Sequence, residues 1–379
     1  MFNFNSKKSW QFFLLMMGGI VLSMGSGHSL TRAQETETTT PIVTDYDEQF
    51  YQGEVVEIME ESESEGWEGT TNHQTLQVEI ENGELKGEIL TLEYESTANS
   101  QKSLEVGDRV VIVEHAGAEQ KEYTIFEAYR VPSLAWLFMI FVGLTALISG
   151  KKGLSSLLGL AFTFLVLIEG AVPLIIKGWD PLGVSFGAAL LIMVISISLA
   201  HGFHKRTFLA IVSTAITLHL ALALGWMAVS FSKLFGLGSE DAVFLSFGEF
   251  SNIDLKGLLL GAIVIGSLGV LDDITTAQTA TIEEIHKANT KLHFKDLYQR
   301  GLSVGKEHIA SLVNTLILAY VGASFPILIL LVSSTTPLWV TLNNEFMAEE
   351  IVRTLIGSIT LITAVPISTV LAAWMYGRK

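Results

Sequence analysis

The chain runs to 379 residues with no cysteine, 49% hydrophobic residues and a mean hydropathy of +0.46, which excludes a disulfide framework and a thiolate metal site and marks a polytopic membrane protein. The formal charge of -16 is unevenly held: between Gln34 and Glu127, 24 Asp and Glu stand against only Lys86, Lys102, Arg109 and Lys121, a local net of -20 that leaves the rest of the chain at +4. Nucleic acid is therefore not expected as a partner of the acidic segment, because phosphate binding draws on clustered Lys and Arg.

In chain order, residues 1–33 read as a secretory signal peptide or an N-terminal anchor. Lys7 and Lys8 precede an apolar run from Phe12 to Met24, and Thr31-Arg32-Ala33 resembles a small-residue cleavage site, with Arg32 keeping the uncleaved anchor open. Either reading sends residues 34–131 outside the cell. From Tyr51 to Tyr129 short alternating stretches, Gly53 to Ile58, Thr75 to Ile80, Glu88 to Glu93 and Arg109 to Val113, are divided by Asn82-Gly83 and Val106-Gly107-Asp108. About five half-buried strands in so short a stretch predict a small extracytoplasmic acidic β-domain, an OB-like barrel by the spacing. The acidic run Glu60 to Glu68 reads as solvated loop, with cation chelation the lesser alternative.

Residues 132–379 read as a membrane domain of seven transmembrane helices, near 134–149, 154–176, 181–200, 207–232, 255–276, 308–333 and 351–376, each close to the roughly 20 residues of a bilayer crossing. With the β-domain outside, eleven Lys and Arg fall on inner segments, among them Lys151, Lys152, Lys205 and Arg206, against Lys177, Lys233, Lys256 and Arg353 outside. That asymmetry satisfies the positive-inside rule and places the C-terminus in the cytoplasm. The inner segment 281–306 reads as a helical extension plus an amphipathic hairpin near the headgroups, with Leu292, Phe294, Leu297 and Tyr298 on its apolar side.

Polar residues inside the spans are the functional candidates. Asp272 follows Leu255 by 17 residues, about 25 Å from the outer face at ~1.5 Å per residue. Asp272 and Asp273 point about 100° apart, so one regular helix cannot aim both at one ligand. On the Asp272 face Thr276, Thr279 and Glu283 continue an oxygen-bearing stripe that suits a hard cation or a proton path, or simply marks a helix leaving the bilayer. Glu307, His308 and Asn314 start the sixth span at the same level; the alternatives are an interfacial His and an interhelical Asn. Glu169, with Gly170 and Pro173 just beyond it, marks a helix break or a span end. His219, near the midplane, is a proton relay or a hydrogen-bonded core histidine. Gly257, Gly261, Gly266 and Gly269 allow close helix approach. Three segments, Gly170 to Pro173, Gly322 to Pro326 and Ala364 to Pro366, hint at similar kinks. His201-Gly202-Phe203-His204 is a weak metal motif among cations, and no zincin, Walker A, esterase or paired-aspartate protease pattern is present. No enzyme and no cofactor are expected.

Gly269-Val270-Leu271-Asp272-Asp273-Ile274, Thr276 to Gln278, Leu297-Tyr298 and Gly305 to Leu316 with Ala319-Tyr320 resemble the signature of YibE/F-like membrane proteins. The resemblance covers the chain after the signal peptide. Members typically carry Asp where this chain has Glu307, a change that keeps the charge. It implies a multi-pass protein of a bacterial inner or plasma membrane, usually described as a permease without a settled substrate. The expectation is secondary transport of a cation or small solute, with Asp272, Asp273, Thr276, Gln278, Glu307, His308 and Asn314 forming the site and Glu169 and His219 as outlying candidates. The alternative is a non-transporting scaffold or sensor whose β-domain binds an envelope partner. Expected partners are the lipid bilayer and a small solute or cation, with a homo-oligomer left open.

Overall fold

A computed structural model describes residues 49–66, 69–97, 103–116, 121–333 and 335–377; the signal peptide or anchor of residues 1–33 lies outside them. Two compact units divide near Leu144, and each is described by itself.

In the first unit, five strands form one antiparallel sheet: β1 (Gln49–Gly66), β2 (Gly69–Ile80), β3 (Ile89–Thr97), β4 (Arg109–Ala116) and β5 (Lys121–Ala128). Their order is β3-β2-β1-β4-β5. The edge strands β3 and β5 touch, so the sheet curls into a nearly closed barrel. Closure needs a bent β1, and its register slips between Val55 and Glu57 and again between Ile58 and Glu60 supply the bend. Gly53 is required where the strand crosses the interior, since a Cβ there would stand 2.6 Å from Val78 and 2.9 Å from Ile112. Alternation works as expected: Leu76, Val78 and Ile80 of β2 join Tyr51, Val55, Leu92, Tyr94, Val110 and Ile112 in the core.

One expectation is overturned here. The acidic run is not loop through Gly66: Glu60 to Gly66 is strand, paired residue by residue with Gly69 to Thr75. The partner strand supplies the reason, because its polar, β-prone residues answer the acids. Asn72 donates to Glu61 at 2.7 Å, and Ser64 and His73 meet at 3.1 Å. The loop before β4 is fastened by a side chain imitating a peptide: buried Gln74 accepts from the Leu104 amide at 2.9 Å and donates to its carbonyl at 3.1 Å.

At the far end of β4, Glu114 is buried against Lys121 at 2.7 Å and accepts from the Tyr51 hydroxyl at 3.0 Å. The Lys121 hydrogen bond chiefly holds its carboxyl below the usual carboxylate range, against burial, with Tyr51 and Tyr123 adding to the downward pull. A depressed acid contributes stability above its ordinary 4.5 and loses it as pH falls through the lower folded value.

The second unit is helical, and the first helix runs across the division at Leu144: from Val131 the chain forms α1 (Val131–Leu165), a π-helical turn (Val166–Ala171) and α2 (Val172–Ile176). Then come α3 (Pro181–His201), α4 (Lys205–Phe231), α5 (Glu240–Leu245), α6 (Leu255–Ala288), α7 (Phe294–Ala323), α8 (Phe325–Ser333), α9 (Leu338–Leu342) and α10 (Glu345–Tyr376). Among the described residues, five helical segments are long and apolar enough to cross a membrane: Val131–Ile176, Pro181–His201, Lys205–Phe231, Leu255–Ala288 and Glu345–Tyr376. The first is 46 residues, about 69 Å if straight and over twice a ~30 Å core. It is not straight, because Gly150 leaves helical geometry at φ 56, ψ -136. The expected sixth span is divided between α7 and α8 at Ser324, and its polar first half dilutes its hydropathy.

The remaining expectations for the spans can be placed. The chain stays helical past Glu169 to Ile176 through the π turn rather than ending there. Of the three Pro-bearing segments, the first lies at that π turn and the second at the break between α7 and α8, while Pro366 sits within an unbroken α10. Segment 281–306 comprises the expected helical extension, as α6 to Ala288, a turn at 289–293 and the start of α7, and Leu297 is fully buried there instead of facing headgroups.

The bundle core gathers α3, α4, α6 and α10 around Leu190, Met193, Ile197, Ile211, Leu218, Leu268, Leu271 and Ile274. It also buries many hydroxyls. Thr217, Thr279, Thr369 and Ser368 each donate to the carbonyl four residues earlier, at 2.6–2.8 Å. Between helices, Thr214 of α4 and Thr275 of α6 share one hydrogen bond at 2.6 Å, both fully buried.

Glu114→Gln is expected to weaken β4–β5 at neutral pH and to abolish the acid-dependent loosening of those strands below pH 4.5. Hydrogen exchange by mass spectrometry on the full chain, corrected for intrinsic rates, checks this. Unchanged acid sensitivity in the variant would show that Glu114 is not its source.

Candidate functional site

Helix α6 is the organiser, touching α3, α4, α7 and α10. Successive residues on it turn about 100°, so neighbours in sequence serve different partners. Thr275 meets α4, as above. Gln278, fully buried, donates to the Gly301 carbonyl of α7 at 2.8 Å and to the Thr369 hydroxyl of α10 at 2.8 Å. Three helices are thereby knotted, while the Gln278 Oε1 itself is buried without a partner. Close approach depends on glycine: a Cβ on Gly305 would stand 2.3 Å from Val365 and 3.1 Å from the Gln278 amide.

These contacts set the register between α6 and α7. Gly301 lies against Ile282 and Gly305 against Gln278, so the helices run antiparallel with four residues on one matching four on the other. Continuing that register puts His308 level with Thr275, about one helical turn, ~5 Å, from Asp272. Both side chains are half-buried, and each keeps a buried polar atom without a partner, Asp272 Oδ1 and His308 Nδ1. Among the described residues neither aspartate is in an ion pair. Two groups able to exchange a proton, about one turn apart in level on adjoining helices, thus each keep an unpartnered polar atom.

The two aspartates do diverge. Asp273 is exposed, within electrostatic range of His201, where Lys152 and Arg206 also bear. Thr276 is half-buried and spends its hydroxyl hydrogen on the carbonyls of Asp272 at 2.9 Å and Asp273 at 3.1 Å. Only its lone pairs remain to offer a ligand. Glu307 and Asn314 are exposed on α7 and join no described cluster; Glu169 is exposed in the π turn of the first segment. His219 donates from Nδ1 to its own-helix Ala215 carbonyl at 2.7 Å, since a carbonyl can only accept, and packs edge-on against Phe186 at 5.0 Å. The helix packing therefore sets Asp272 and Thr276 on α6 and His308 on the adjoining α7 at neighbouring levels without a direct contact among the described hydrogen bonds and ion pairs, keeps Gln278 in the α7 and α10 contact, and leaves Asp273, Glu307, Asn314, Glu169 and His219 apart. His204 of the weak metal motif lies 3.1 Å from the His201 carbonyl across a turn at Gly202, φ 72. Among the described residues no group of three or more His, Asp or Glu is placed to hold a metal ion.

Sequence reasoning missed the carboxylates that close the bundle. Glu345 accepts from the Phe235 amide at 2.6 Å and the Leu237 amide at 3.4 Å, and buried Glu349 accepts from the Gly238 amide at 3.0 Å. The signal was present in their i, i+4 spacing at the start of α10, where acids favour the helix dipole. What they bind, more than 100 residues away, was not.

A family model described as YibE/F-like protein matches residues 137–378. No curated protein and no solved structure matches the chain.

Gly305→Ala is expected to cost roughly 1–3 kcal/mol by overpacking against Val365, read as a lowered unfolding midpoint in detergent. Gln278→Met should be nearly neutral or stabilising, because Gly301 O and the Thr369 hydroxyl keep their helical partners and an unmet buried acceptor worth about 1–3 kcal/mol is removed. A large loss of stability in Gln278→Met would show the knot to be a net contributor.

Proposed function

This chain belongs to the YibE/F-like family, and on that footing we propose that it is a secondary permease moving a cation or small solute with proton or cation coupling through Asp272. The family description names no activity, so the site must carry the reading. One observation carries it: Asp272 places a buried carboxylate oxygen without a partner inside an apolar bundle. An unmet charge or hydrogen-bonding group in such surroundings costs several kcal/mol unless a proton or a transported cation satisfies it. His308, about one turn away in register, is a group able to exchange that proton.

In this reading Thr276 lends lone pairs, while Asp273 on the cation-rich side passes protons or ions between Asp272 and water. The chain crosses a bacterial plasma membrane seven times, the two arms at Gly150 counting separately and α7 with α8 forming one broken crossing. The eleven-to-four split of basic residues supports a cytoplasmic C-terminus. Residues 1–33 direct or anchor the β-domain outside, where its five-stranded curl with touching edges suits an OB-like barrel acting as a cap.

The test is counterflow. In proteoliposomes holding a pH-sensitive dye, adding single cations outside is expected to drive proton movement in the wild type. Asp272→Asn should abolish it, His308→Ala should reduce it by about 100-fold, the low end of what a lost acid–base group costs, and Asp273→Asn should have the smaller effect. No proton movement with any cation, together with retention of envelope proteins by the outer domain, would instead establish a scaffold or sensor.

A further inference from the structure

The two ends of α4 are held by unlike means. Beyond its Phe231 end, the connecting loop gives three backbone amides to Glu345 and Glu349 at 2.6–3.4 Å. The loop has little freedom to let go: Leu234 is buried against Leu259 and Ile356, and Gly236, at φ 86, lies so close to α6 that a Cβ would stand 2.2 Å from the Leu255 carbonyl. Charge-assisted bonds to backbone amides are among the strong ones. At the other end the polar connection among the described ion pairs is Arg206 to Glu283 of α6, and at 3.6 Å it is too long for a direct hydrogen bond.

That end is also under-satisfied. Glu283 Oε2, Thr207 Oγ1, His286 Nδ1 and the Tyr376 hydroxyl are all buried without a hydrogen-bond partner. Lys287 competes for Glu283 at 3.5 Å while bonding Glu284 at 2.8 Å. Apolar contact there joins buried Leu209, Ile282 and Ala372 with half-buried Leu371, Met375 and Tyr376. Midway, only the Thr214–Thr275 hydrogen bond crosses from α4 to α6 among polar contacts of the described residues.

We propose that α4 is a hinged helix, fixed at its Phe231 end by Glu345 and Glu349 and released at its Arg206 end when the Arg206–Glu283 pair parts. Release uncovers the face of α6 that runs from Glu283 back through Thr279 and Thr276 to Asp272. The purpose of the motion rests on the permease reading; the motion itself does not.

The chain has no cysteine, so a single introduced one reports alone. Thr207→Cys, at 1% exposure, reports the released end of α4; Val229→Cys, fully buried with Leu234 and Leu259, reports its fixed end. Each is labelled in reconstituted full-length protein with a water-soluble maleimide. Glu283→Gln should raise the Thr207→Cys labelling rate by about threefold to fivefold, the shift expected from losing one partly exposed ion pair, and leave Val229→Cys unchanged. The exchanged pair Arg206→Glu with Glu283→Arg should bring the rate back down. Unchanged labelling at Thr207→Cys, or equal rises at both reporters, overturns the hinge, the latter because the whole bundle has loosened. If labelling behaves as stated while no variant supports proton movement, the hinge stands and the permease reading falls.

Discussion

Inside a bilayer every polar group has to find its partner within the protein, because no water is at hand to take up what is left over. Much of the helical unit obeys this rule. Buried hydroxyls turn back onto their own helices, Thr214 and Thr275 answer each other, and Gln278 spends both amide hydrogens on α7 and α10. Other buried polar atoms are also left over, but Asp272 combines an unpartnered oxygen with a carboxylate that no ion pair answers among the described residues, and the functional reading follows from that.

Helix α6 makes the contrast possible. Four helices pack around it, and its rotation of about 100° per residue deals each polar side chain to a different neighbour. Thr275 goes to α4, Gln278 to α7 and α10, Glu283 to the first turn of α4. Asp272 falls where no such partner waits. Gly301 and Gly305 complete the arrangement by letting α7 lie against Ile282 and Gln278, which fixes the level at which His308 approaches.

Much of this was legible in the sequence, and the boundary is physical. Alternation in Leu76-Gln77-Val78-Glu79-Ile80 announces a half-buried strand because its period is local. The same locality finds the apolar runs and the lone acids within them. It fails for Glu60 to Gly66, where charge suggests solvent and only the opposite strand reveals pairing. It fails too for Glu345 and Glu349, whose partners are amides of a loop more than 100 residues away, invisible to any side-chain pattern. The division of the sixth run at Ser324 and the leftward turn at Gly150 are backbone choices that hydropathy does not register. Within the site, spacing predicted that Asp272 and Asp273 diverge; which of the two turns inward needed the packing of Leu271 and Ile274 on either side.

The back-bonded hydroxyls have an effect beyond satisfying themselves. With the hydrogens of Thr217, Thr279, Ser368 and Thr369 committed to carbonyls of their own helices, a packed neighbour need supply no acceptor for any of them, and hydroxyls can stand in a tight helix contact where a group still seeking a partner could not.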